Sequence, residues 1–98
     1  ELVTQLKQQD FFVIALEITS SSVDITSPEI ADIIRQNHAD GKHFCLLLGT
    51  ENTGIRSELL QLVDLTIHIN MCGNNSSMNV VSAASIACFE ICRYFTTR

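Results

Sequence analysis

Two stretches of this chain combine residue types that can build a ligand pocket. The first is Gly49-Thr50-Glu51-Asn52-Thr53-Gly54, and the second is Ile69-Asn70-Met71-Cys72-Gly73-Asn74-Asn75-Ser76-Ser77-Met78-Asn79-Val80. In the first, Gly49 directly after an apolar run lets a ligand or another backbone come close, and Gly54 allows a conformation that a side chain would resist. Glu51 stands between them. The same pattern suits a plain tight turn with a capping carboxylate, and it is neither a dinucleotide fingerprint nor a P-loop. In the second stretch, Asn74, Asn75, Ser76, Ser77 and Asn79 place short polar side chains immediately before an apolar helix. Ser77 or Asn79 suits the helix cap, which needs one such residue rather than five. Met71 and Met78 could floor an aromatic ring or serve as ordinary packing.

Alternating apolar runs and helical patterns must position these loops. Glu1 to Gln9 reads as the tail of a helix, with Leu2, Val3 and Leu6 on one face. Phe11 to Ile18 is nearly continuous in apolar residues, which suits a strand buried on both faces of a parallel sheet. Ser20 to Asp24 reads as a polar loop. Ser27-Pro28-Glu29 starts a helix expected to run to about Asn37, with Ser27 as cap, proline in the first turn and a carboxylate at the positive end. Asp40-Gly41 ends it. His43 to Leu48 supplies a second buried strand that stops at Gly49, a short helix spans about Arg56 to Leu62, and Leu65 to Ile69 forms a third strand. Asn79 to Phe95 is the longest helix and is apolar almost all round. Ser82, Ala83, Ala84, Ser85 and Ala87 keep its first half slim, so another backbone can approach, within the subunit or across a dimer interface. The result is a parallel α/β sheet, in which ligands gather at the carboxyl ends of strands. Both polar loops sit at such ends.

Bulk properties bound the function. The 98 residues are 46% hydrophobic and 17% charged, which supports a packed core and argues against disorder. No apolar run reaches the length of a membrane span, and the cytosol, or an organelle reached by a leader missing from this chain, is the simplest location. A formal net charge of −5 argues against a broad phosphate-binding surface on this stretch alone. Cys45, Cys72, Cys88 and Cys92 lack the paired spacing of a disulfide or zinc framework and read as reduced thiols. Cys88 and Cys92 could share a helix face, but without a second ligand pair they read as buried packing, and no metal site is expected. His38, His43 and His68 have no nucleophile at motif spacing and read as surface or packing residues, while Asp24, Asp32, Asp40 and Asp64 read as turn or solvent-facing.

The two loops also carry a resemblance. The segment from Phe44 to Tyr94 is similar to the C-terminal part of the SpoU-type (TrmH-like) RNA 2′-O-ribose methyltransferases of the knotted SPOUT superfamily. Gly49-Thr50-Glu51-Asn52-Thr53-Gly54 resembles the family's second motif, Gly-x-Glu-x-x-Gly. Ile69 to Val80 resembles the third, in which Ile-Pro-Met-x-Gly, a spacer and Ser-Leu-Asn-Val lead into an alanine-rich helix. Asn70 replaces the family's usual proline, and Met78 its usual leucine.

The resemblance implies a trefoil-knotted α/β fold, with a parallel sheet between helices on both faces, that binds S-adenosylmethionine mainly through backbone groups. Carried over position by position, the cofactor contacts fall on Gly49, Ile69 and Met78, with Met71 and Ser77 as nearby lining. Glu51, Ser77 and Asn79 match positions that support the pocket and orient a catalytic arginine. That arginine belongs to the family's first motif, which lies upstream of this chain. Residues 1–98 are therefore expected to be the C-terminal portion of one methyltransferase domain, supplying the cofactor half and inactive alone. The implied whole is a homodimeric, cytoplasmic enzyme that methylates ribose in tRNA or rRNA. Two other classes stand beside it: a catalytically inactive methyltransferase-like module that binds RNA or a partner, and a generic small-ligand-binding α/β module.

Overall fold

The computed structural model describes residues 2–17, 22–49, 55–69 and 80–95. In chain order the elements are α1 (Leu2–Gln8), β1 (Phe11–Leu16), β2 (Val23–Asp24), α2 (Pro28–Ala39), β3 (His43–Leu48), α3 (Ser57–Leu60), β4 (Leu65–His68) and α4 (Val80–Phe95). The four strands form one sheet in the order β2-β4-β1-β3, with every pairing parallel. β1 is the inner strand on which the register rests. Phe11 to Leu16 pair residue for residue with His43 to Leu48 on one side, and Ile14 to Leu16 pair with Leu65 to Ile67 on the other.

Side chains of β1 alternate between the two faces, as the pleat requires. Phe12 and Ile14 join Ile30, Ala31 and Ile34 of α2, Ile67 of β4, and Ala87, Ile91 and Tyr94 of α4 in one cluster. Val13 and Ala15 are also fully buried but point away from that cluster, toward the side where α1 lies against β1 and buries Val3. This is the expected parallel sheet with helices. At Ala87 the absent bulk lets α4 settle against α2, and the residue has no exposed surface.

Several local expectations change in the folded chain. The predicted loop through Asp24 contains strand β2, which pairs with Ile67 and His68. The Asp24 carboxylate then accepts bonds from the Thr26 amide and hydroxyl, closing a turn before α2. Ser27 has the extended backbone of a helix cap and Pro28 occupies the first turn, but the Ser27 hydroxyl makes no capping bond. It lies 3.4 Å from the Glu29 carboxylate instead. α2 runs to Ala39, where Gly41, at φ +83°, lets the Gly41 and Lys42 amides turn back to the carbonyls of His38 and Asn37. That reciprocal pair is a Schellman ending, for which glycine is the favoured residue.

β3 is the main departure. A continuous apolar run predicts burial on both faces, yet β3 lies at the sheet edge and its residues are half-buried or exposed, with Leu48 at 38%. Hydrophobicity alone does not distinguish an inner strand from an edge strand. α4 likewise buries only one stripe, and Ile86 and Phe89 are 44% and 70% exposed. Cys88 and Cys92, expected as buried packing, are exposed because they face away from Ala87 and Ile91. Asp64 is exposed in the bend before β4, as expected, and it also extends the β1–β4 ladder: its carboxylate accepts the Val13 amide at 2.8 Å, and its own amide donates to the Val13 carbonyl at 2.9 Å. Lys7 of α1 lies 3.7 Å from the same carboxylate and donates to the Leu62 carbonyl.

Tyr94 fastens α4 to the sheet. Its buried hydroxyl donates to the Ile25 carbonyl at 2.9 Å, beside the Glu90 carboxylate at 3.2 Å. Burial first, and then the Glu90 charge, raise the phenol pKa above 10.0. The group is favoured neutral in the folded state, so its contribution is complete below the unfolded value and is lost as pH rises through the folded one. Tyr94→Phe is expected to cost about 1–2 kcal/mol at pH 7, since the Ile25 carbonyl loses its partner. The stability gap between the two proteins should narrow above pH 10.0, as read by urea unfolding across that range.

Candidate functional site

The register of β1 brings Gly49 and Ile69, which open the two polar stretches, to one edge of the sheet. Leu16 at the end of β1 pairs with both Leu48 and Ile67. Gly49 follows Leu48 directly, and Ile69 lies two residues beyond Ile67. Both residues therefore sit at the carboxyl edge, one on each side of β1 and past the last residues of their strands. With neighbouring strands about 4.8 Å apart, the two positions flank a gap of about 10 Å. Gly49 offers backbone without a side chain in the way, and half-buried Ile69 offers an apolar wall. α/β proteins place ligands at the carboxyl ends of parallel strands, the edge at which these two residues lie.

Of the sequence-predicted site residues, Gly49 and Ile69 are thus brought together. Glu51, Met71, Ser77, Met78 and Asn79 lie outside the described residues. The two described positions fit S-adenosylmethionine in kind, since an adenine ring needs apolar surface on its faces and peptide groups at its edge. Among the described residues no group of three or more His, Cys, Asp or Glu side chains is placed to hold a metal ion.

Two features at this edge carry no motif in the sequence. Glu17, the residue after β1, donates its amide to the Ile67 carbonyl, and its carboxylate accepts the Ile55 amide at 2.9 Å. His68, at the end of β4, has its Nδ1 2.9 Å from the Ser22 hydroxyl, so it serves the β2–β4 junction. Glu17 joins residues 38 positions apart, and local pattern does not reveal a contact of that range. The remaining histidines fill packing roles: His38 stacks on Phe95 with ring centres 4.3 Å apart, and His43 lies against Phe11 at 5.3 Å.

An open groove of about 610 Å³ lies elsewhere, lined in part by Phe11, His38, Phe44, Cys88, Cys92 and Phe95. It sits beside the beginnings of β1 and β3 and the last turns of α4, away from Gly49 and Ile69. This groove and the edge that carries Gly49 and Ile69 are therefore different places.

The fold is a parallel α/β sheet that brings Gly49 and Ile69 to the carboxyl ends of β3 and β4. The chain belongs to the SpoU rRNA Methylase family, which matches residues 1–89. It is 32% identical over 90 residues to the tRNA (guanosine(18)-2'-O)-methyltransferase of Escherichia coli (strain K12), covering 92% of this chain and 35% of that enzyme. It is 42% identical over 48 residues to the 23S rRNA (guanosine-2'-O-)-methyltransferase RlmB of Acinetobacter baylyi, covering 49% of this chain and 19% of that enzyme. The chain thus spans about a third or less of the length of these curated relatives. Among solved structures, the AdoMet-bound rRNA methyltransferase from Sinorhizobium meliloti superimposes with a TM-score of 0.76 at 24% identity, over 98% of this chain and 33% of that one. The A. aeolicus TrmH/SpoU tRNA modifying enzyme does so at 0.73 and 25% identity, over 95% of this chain and 42% of that one. The fold is that of the SpoU methyltransferases.

Proposed function

We propose that this chain is the C-terminal, cofactor-binding portion of a domain that methylates a ribose 2′-hydroxyl in tRNA or rRNA with S-adenosylmethionine. The observation that carries the reading is the placement of Gly49 and Ile69 on either side of β1 at the carboxyl edge, each opening one of the two family motifs. Support comes also from the family match and from relatives that modify tRNA and rRNA at the 2′-oxygen.

When bound, the cofactor would supply an electrophilic sulfonium methyl group open to in-line attack by the ribose oxygen, with S-adenosylhomocysteine as leaving group and the hydroxyl proton passing to a base. The part of this chain in that chemistry is alignment. Gly49, Ile69 and Met78 hold the adenosyl ring, Met71 and Ser77 line it, and Glu51, Ser77 and Asn79 hold the surrounding loops and orient the catalytic arginine. Alignment of reacting groups is a large source of acceleration, and a positioned base adds roughly 10² to 10⁴. The arginine comes from upstream of Glu1, and the cation-rich grip on RNA phosphate comes from outside these residues, whose net charge is −5.

The domain has a trefoil knot, with α4 drawn through an earlier loop, and pairs with a second copy in the cytoplasm, where its RNA substrates lie. Exposed Phe89 and Ile86 support pairing through α4, since solvent-facing apolar residues on one helix gain by being covered.

Three outcomes test this reading. The full-length protein is expected to methylate ribose in tRNA or rRNA only when S-adenosylmethionine is supplied, as read by mass spectrometry of digested RNA, whereas the 98 residues alone are expected to transfer nothing. Cofactor binding without methylation of either RNA would favour the inactive binding module, and calorimetry showing no heat with S-adenosylmethionine or S-adenosylhomocysteine would contradict the cofactor assignment itself. Gly49→Val is expected to weaken binding of either by about tenfold or more, because the added branch occupies the ring's approach. In light scattering, full-length wild type should run as a dimer and Phe89→Asp as a monomer; a monomeric wild type contradicts the pairing.

A further inference from the structure

We propose that Glu17 is a positioning residue for the cofactor crevice, a role that rests on the assignment of S-adenosylmethionine to the Gly49–Ile69 edge. Glu17 stands one residue beyond Leu16, which pairs with Leu48 and Ile67, and so it lies between the ends of β3 and β4. Its main chain is already engaged with β4, the amide donating to the Ile67 carbonyl at 2.9 Å. Its side chain reaches across the same edge, where the carboxylate accepts the Ile55 amide at 2.9 Å. Ile55 is buried, with 7% of its surface exposed.

The position of Ile55 gives this bond its meaning. The chain leaves the sheet at Gly49, passes through the Gly-Thr-Glu-Asn-Thr-Gly motif and returns at Ile55. Pairing of Leu48 with Leu16 fixes the departure, and the Glu17 carboxylate fixes the return. One strand end thereby holds both feet of the loop. A buried amide needs an acceptor, and a carboxylate is a strong one because the bond is charge-assisted. Without it, the Ile55 amide is left unpaired and the loop's return is set by hydrophobic packing alone. Fixing Ile55 relative to Gly49 must then be done at the moment of binding, which reduces affinity.

Asp64 offers an internal comparison. Its carboxylate makes the same kind of bond to β1, accepting the Val13 amide at 2.8 Å, but at the amino end of β4, away from the crevice. Loss of that bond should lower stability and leave cofactor binding alone.

The test measures affinity of the full-length protein for S-adenosylhomocysteine by calorimetry, with thermal unfolding in the absence of ligand recorded alongside. Glu17→Ala is expected to weaken binding about tenfold, equivalent to about 1.4 kcal/mol. Glu17→Gln keeps an oxygen acceptor and should stay within about threefold of wild type. Asp64→Ala should lower the unfolding temperature without a comparable loss of affinity. Should Glu17→Ala fail to fold, Glu17→Asp, which withdraws the carboxylate by one methylene, carries the same expected weakening. Wild-type affinity in Glu17→Ala or Glu17→Asp overturns the proposal, as does Glu17→Gln as weak as Glu17→Ala, or Asp64→Ala as weak as either. A wild-type protein that binds no cofactor overturns instead the assignment on which the proposal rests.

Discussion

The structure depends on parallel pairing of one strand, β1, along both of its edges. Because Leu16 is in register with Leu48 and with Ile67, the ends of three strands arrive at the same level. No local feature of Gly49 or Ile69 would bring them to one site; the register does so. In a parallel sheet all carboxyl ends point the same way, so Gly49 after β3 and Ile69 after β4 lie on one edge, where α/β proteins place ligands. The core serves this arrangement. Phe12 and Ile14 lock β1 to α2 and α4 on one face, while Val13 and Ala15 bury its other face, leaving a one-residue slip with no acceptable burial.

Much of this architecture was legible because the chain separates its signals. The nearly unbroken apolar run at Phe11 to Leu16 does belong to a strand buried on both faces, and Pro28 and Asp40-Gly41 do bracket α2. The Gly49 and Ile69 edge followed from reading each polar loop as the sequel of a strand. Edge position was not legible. Phe44 to Leu48 is as apolar as β1, yet β1 has partners on both sides and β3 on one. The same ambiguity hid the exposed side of α4, where Phe89 and Cys92 look like core residues by type alone. The two-residue β2 was hidden for a different reason: its pairing with β4 is long-range, and its own residues, Val23 and Asp24, carry a turn signature as well.

Long-range polar ties were the other illegible class. Glu17 to Ile55, Asp64 to Val13 and Tyr94 to Ile25 each join an element to chain that is distant in sequence. Each supplies a partner to a main-chain group at a place where the sheet or a turn does not. Their distribution is informative. Asp64 and Lys7 secure the amino end of β4 to β1 and α1, Tyr94 secures α4 to the residue after β2, and Glu17 secures Ile55 at the carboxyl edge. The first two hold the scaffold, and the third holds what the scaffold presents. A net charge of −5 leaves little of a phosphate-binding surface to these residues.

The central claim is that the carboxyl edge of β1, and not the groove beside the beginnings of β1 and β3, receives the cofactor. Amide chemical shifts of the full-length protein, followed during titration with S-adenosylhomocysteine, test it most directly. The account predicts that the largest changes fall on Gly49, Ile55 and Ile69, with little change at Phe11, His38 and Phe95. Changes centred on those groove residues, with Gly49 and Ile69 unmoved, would contradict it.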